Sequence, residues 1–252
     1  MLQARTTPNA TGVTLTGDFD EFYRLYDAMS ELIGDEDDYP NYEAARLRVL
    51  GFLYDLRHAY QGDREVSLVE NHLTREHMKW HQLVASPQNV YYSFNTVWIE
   101  ALFVIMALND FVLLKAKNLV KNQLVSDQML APKVAYNESI AHVRHFQTVI
   151  MAALHELVSD HVYTRLLNGM VHTYPFFANY ATQFVDKLAI KYIAMDKEKR
   201  LKNLSRFANQ MINRSGDYPD LYESLMRDAK EYGCAISELE LQGLEYPEQI
   251  EW

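Results

Sequence analysis

The chain has 252 residues, 48% hydrophobic and 23% charged, a balance that excludes a disordered chain and allows one large domain or two small ones. A single cysteine, Cys234, excludes an intramolecular disulfide and a CxxC zinc site, and only 9 glycines and 7 prolines argue against a long array of short strands. The net charge of -10 makes the chain a poor nonspecific binder of nucleic acid, and the cysteine usage implies a reducing, cytoplasmic setting.

In chain order, residues 1–14 lack the basic start and apolar run of an export signal. Val13–Leu15 reads as a short strand, and Asp18 or Asp20 caps a helix that Gly34 ends after Ile33. The acidic stretch Asp35–Asn41 is a loop. A second helix, Tyr42–Tyr60, is apolar nearly all round and is therefore expected at the centre. Thr74 caps a short helix to Leu83, and Asn89–Phe94 is a second short strand suited to pair with the first. Thr96–Leu119 is one long helix. Its apolar run is interrupted by Glu100, Asn109 and Asp110, which speaks for a buried helix and against a membrane span. After a polar connection at Gln123–Lys133, Asn137–Leu167 reads as a single helix. Pro175 opens a helix to Met195, Asp196 caps one to Asn213, and Pro219 opens one that ends at Gly233. The tail docks through Leu239, Leu241, Leu244, Ile250 and Trp252.

The predicted fold is mainly α: a multi-helix globular bundle of about seven to nine helices, with at most a small two-stranded β element near the N-terminal half. Residues 1–252 form one compact domain, divisible into a mixed part over 12–122 and an all-helical part over 134–252. Acids dominate Asp18–Glu43 and Asp217–Trp252, whereas bases dominate Lys187–Arg214. Such runs are expected on solvated faces that pair with one another.

The densest polar constellation is Tyr54–Glu65, where Arg57, His58, Asp63 and Arg64 follow an apolar helix. Paired guanidiniums beside an imidazole can bind a small anion, and the same groups can instead form an ion-pair network that fastens the next loop. His77 and His81 are four apart, and Glu138, His142 and His145 follow at i, i+4 and i+7, both spacings of helical metal sites. Rotation at 100° per residue puts the second set opposite Ile140, Val143 and Leu154, on the solvent side. No metal is favoured, and no cofactor is expected. The same rotation places His161, Arg165 and His172 on the apolar side, where a charge needs a partner. Glu100 is a second misplaced charge, with Arg57 or Arg165 as its expected cation. If these groups meet they form one interior polar site, and if they pair separately they are only fold-specifying contacts; Trp80 and Trp98 are expected in the core.

Thr14–Asp18 (TLTGD), Tyr54–Glu65 (YDLRHAYQGDRE) and the acidic ending Tyr246–Trp252 resemble an uncharacterised family of Firmicutes-type bacterial and phage proteins. That resemblance implies an intracellular setting and assigns no catalytic residues. Arg165, six intervening residues, His172 and then Tyr174 resemble the Arg-x(4–6)-His pattern of the HEPN ribonuclease superfamily. It implies a metal-independent cleavage of RNA, with Arg165 on the scissile phosphate and His172 as acid/base. Leu166, Gly169 and Pro175 depart from the pattern. Three functions follow as expectations. The first is a binding or regulatory protein, in a phage-defence or counter-defence setting, that meets a protein partner or a second copy through an acidic helical surface. The second is the HEPN-like ribonuclease, and the third an enzyme acting on a small anion at Arg57/His58. The first ranks highest, because every polar constellation also has a structural explanation.

Overall fold

The computed structural model describes residues 1–120, 128–172 and 175–252. Strands β1 (Gln3–Thr6) and β2 (Gly12–Gly17) form a hairpin that leads into helix α1 (Phe19–Ile33). The Asp18 side chain accepts from the Glu21 amide at 2.9 Å, and Glu21 returns to the Asp18 amide at 3.0 Å, so two otherwise orphaned donors are satisfied. Gly34 ends the helix at φ 65°, a left-handed conformation open to glycine. Helix α2 (Glu43–Tyr60) follows, then β3 (Glu65–Glu70), the short α3 (Arg75–Trp80) capped by Thr74, and β4 (Gln88–Val97). Helix α4 (Trp98–Leu119) starts where β4 stops. The remainder is α5 (Pro132–Ala135), α6 (Glu138–His155), α7 (Asp160–Met170), α8 (Gln183–Ile193), α9 (Lys197–Asn213) and α10 (Tyr218–Tyr232).

Five expectations are corrected. The sheet has four antiparallel strands in the order β1-β2-β4-β3, not two, and the described residues hold ten helices, not seven to nine. The two additional strands are edges. β1 is polar and gains its place through backbone pairing with β2, while β3 pairs only with the outer half of β4. Asn137–Leu167 is two helices, because the chain turns after His155 and restarts at Asp160. The restart resets the phase, so Leu166 and Met170 are buried while His161 and Arg165 are exposed. No helix follows Pro175 until Gln183. The Asp110 carboxylate takes the amides of Phe176 and Phe177 and holds that stretch out of helical geometry. Finally α2 is one-sided: Ala45, Val49, Phe52 and Leu56 are buried, while Leu47 and Tyr54 are exposed.

The central element is α4, apolar on every side and packed against α1, α2, α6, α8 and α9. One continuous hydrophobic cluster runs from Leu2 to Leu225. The tail lies against it through Leu239, Leu241, Ile250 and Trp252. Among the described residues no helix is long and apolar enough to cross a membrane.

Candidate functional site

The interior charges are engaged separately. Glu100, in the first turn of α4, accepts from Arg48 Nη1 at 3.0 Å. Arg48 Nη2 donates to the Thr182 carbonyl at 3.1 Å and to Asp186, on α8. The Tyr246 hydroxyl of the tail is 3.2 Å from Glu100 Oε1 and 3.1 Å from Asp186 Oδ1. A phenol carries one proton and cannot donate to both carboxylates. Burial, opposed by Arg48 and reinforced by Asp186, holds the Glu100 carboxyl above its usual range. Arg48, the two carboxylates and the phenol thus tie α2, α4, α8 and the tail together. Glu100 was expected to meet Arg57 or Arg165, and Arg48 takes that place. The pattern does hold a signal for it. Three residues after buried Ala45 and four before buried Phe52, Arg48 is a charge within the apolar stripe of α2.

The other expected site residues lie apart. Arg57 sits over the Tyr54 ring at 5.7 Å, and His58 Nδ1 is 2.8 Å from the Tyr54 carbonyl. Arg64 pairs with Asp55 at 2.8 Å, and Asp63 is exposed beside it. Arg165 is exposed on α7, whereas His172 stacks on Phe176 at 4.6 Å, where burial and Arg214 push its pKa down. Tyr174 lies outside the described residues. His77 and His81 are exposed around the end of α3, Glu138 lies 3.5 Å from His142, and His145 is exposed. Among the described residues no three His, Cys, Asp or Glu side chains are grouped closely enough to hold a metal ion.

What the sequence left unread is a ribbon. β4 has ten residues, but β2 pairs only with Tyr92–Val97, so its outer part extends past the sheet with β3 as its one partner. The cross-strand pairs Leu68↔Val90 and Val66↔Tyr92 share one face. On it Val66 is 48%, Leu68 61% and Val90 40% exposed, while Tyr92 packs against the core at the root. The Asn71 amide donates to the Pro87 carbonyl at 2.9 Å, and the Asn71 side chain reaches the Ser86 carbonyl at the same distance. These bonds close a tip that holds α3, with Trp80 84% exposed and Val84 fully so. Trp80, expected in the core, thus stands at the far end of the ribbon, whereas Trp98 is buried as expected. The Tyr54–Glu65 constellation forms the ribbon's root, where the Arg64–Asp55 pair bridges the end of α2 to the start of β3.

Residues 2–252 match the family described as "Domain of unknown function (DUF6904)". No curated protein and no solved structure matches the chain.

Proposed function

For a chain that belongs to the DUF6904 family, we propose a binding or regulatory role inside the cell, carried out by docking the ribbon onto a protein partner. The observation that supports this reading is the uncovered apolar face of Val66, Leu68 and Val90. An antiparallel strand with alternating apolar residues normally turns them to the core, and a row of exposed ones is a place for another chain. The free edge of β3 adds unpaired backbone donors and acceptors, the ordinary template for an added strand.

The chemistry of the partner follows from β3 itself. Glu65 and Glu70 close the strand at both ends. A second copy aligned antiparallel over the whole strand would put Glu65 opposite Glu70, and like charges directly opposed are destabilising. The fitting partner is an extended segment, apolar in the middle and basic at its ends.

The test pairs wild type with a Val66→Lys/Leu68→Lys variant. Both substitutions lie at exposed positions, so the change in stability should stay within about 0.5 kcal/mol. Sedimentation should show a monomer. Immobilised wild-type protein should retain one protein from an extract of cells that make it, and the variant should release it. A retained protein indifferent to the substitutions, no retained protein, or a purified chain that dimerises through β3 would overturn the reading.

A further inference from the structure

A pocket away from the ribbon lies between α4, α6 and α7. There Ile105, Met151, Leu167 and Met170 wall a pocket of about 240 Å³, with Asn109, Arg144 and Gln147 along one side. Arg144 Nη1 donates to Asn109 Oδ1 and, at 3.0 Å, to Gln147 Oε1. Both carboxamides are fixed by their own donors. Asn109 Nδ2 donates to the Met170 carbonyl at 2.9 Å, and Gln147 Nε2 to the Ile105 carbonyl at 2.7 Å. Gln147 Nε2 also donates to Asn109 Oδ1 at 3.1 Å, so the two carboxamides brace each other and set the orientation of the guanidinium before any ligand arrives.

What this guanidinium lacks is an anion. Its partners are neutral amides, and among the described residues it forms no ion pair. Burial pushes its pKa down with no carboxylate to offset the effect. Nε and Nη2 make no hydrogen bond to the described residues and are not enclosed, so one edge of the planar fork is open. Other inward arginines are served differently. Arg48 has Glu100 and Asp186, and Arg200 is ringed by the Asn9, Tyr192 and Ile193 carbonyls and the Thr11 hydroxyl. A desolvated cation with two free donors calls for an acceptor of matching shape, and a carboxylate meets Nε and Nη2 with two parallel bonds.

The walls decide between anions. A phosphate would turn further charged oxygens toward Ile105, Met151 and Leu167, which offer no donors, and the single Tyr163 hydroxyl in the lining could meet only one of them. Thr148 adds none, because its hydroxyl donates to the Arg144 carbonyl at 2.8 Å. The pocket is also smaller than the ~300–1,000 Å³ typical for drug-sized ligands. We propose that it binds a small monocarboxylate with an aliphatic or aromatic body, the carboxylate on Arg144 Nε and Nη2 and the body against Ile105, Met151 and Leu167.

Calorimetry with octanoate, benzoate, octanol and inorganic phosphate tests this on the full chain. Octanoate or benzoate should bind in the millimolar range or tighter and raise the melting temperature. Octanol, with the same body and no charge, should bind at least about tenfold more weakly. Arg144→Gln should lose the carboxylate by a similar factor. Leu167→Trp, which fills the pocket and leaves Arg144 in place, should abolish binding of both octanoate and octanol. Arg144→Lys keeps the charge without the fork and guards against a folding defect in the glutamine variant; it should restore only part of the affinity. Equal affinity for octanoate and octanol, binding unchanged by Arg144→Gln, phosphate competing as well as octanoate, or no carboxylate binding at millimolar concentration would overturn the assignment.

Discussion

Arg48 shows how one side chain determines the fate of three others. It faces Glu100 and Asp186 and caps the Thr182 carbonyl, so truncation leaves two inward carboxylates without a cation. Arg48→Ala should destabilise the chain by about 3–5 kcal/mol in chemical denaturation, the usual cost of breaking such a pair from one side. Glu100→Gln keeps the shape, removes one negative charge, and should cost less. Asp110 is a separate case, 1% exposed, with burial raising its carboxyl to about 6 against the pull of the Phe177 and Phe176 amides and Arg214. Because the folded state holds this proton more tightly than the unfolded chain, the stabilisation is full at low pH and is lost as pH rises through about 6. At about 1.4 kcal/mol per unit, the loss approaches ~3 kcal/mol. Asp110→Asn has nothing to titrate there. Between about pH 4 and pH 7, denaturation should show wild type losing stability relative to the variant. A constant difference would contradict the buried, protonatable carboxyl. Glu100 and Asp110 were legible as misplaced charges in an apolar run, but their partners were not. Arg48 comes from another helix, and the Phe176 and Phe177 amides carry no side-chain signal.

Among the elements, local chemistry carried the helices and failed where tertiary contacts decide. The Asp18, Thr74, Asn137 and Asp196 caps and the Gly34 and Gly233 stops stand where the sequence places them, since each depends on residues within one turn. The break between α6 and α7 carries neither proline nor glycine, and it resets the face that Arg165 presents. β3 reads Glu-Val-Ser-Leu-Val-Glu, a fair alternation, but its partner strand begins only after the tip and α3. At the end of the β2–β4 ladder away from the ribbon the strands lie close at Gly12, where a Cβ would stand 2.0 Å from the Thr96 carbonyl oxygen on β4. Gly12→Ala must push β2 and β4 apart, at a cost of about 1–3 kcal/mol or more. Thermal melting should show that loss, and Gly51→Ala, whose Cβ meets open space on α2, should not show it.

At the scale of the whole molecule, the hydrophobic cluster spans both halves of the chain, and polar ties cross between them. The Tyr192 hydroxyl donates to the Ala10 carbonyl at 2.7 Å, and Arg200 reaches Asn9 and Thr11. The basic run at Lys187–Arg214 is partly answered from the acidic C-terminal segment, where Asp217 pairs with Lys187 and Lys191. On this body, the ribbon gathers the exposed apolar side chains of Val66, Leu68, Trp80, Val84 and Val90 in one projecting element. Its exposure was illegible in the sequence for a physical reason. Val66, Leu68, Trp80 and Val90 carry the same apolar character as core residues, and only the end of β2 pairing at Tyr92 shows that nothing covers them. The most direct measurement places a photoreactive amino acid at position 68, on the exposed face, and irradiates living cells that make the protein. The account predicts a cross-link to one other protein, absent when the same group stands at Glu223 on the far α10. No cross-link from position 68, or one only to a second copy of the chain, would contradict it.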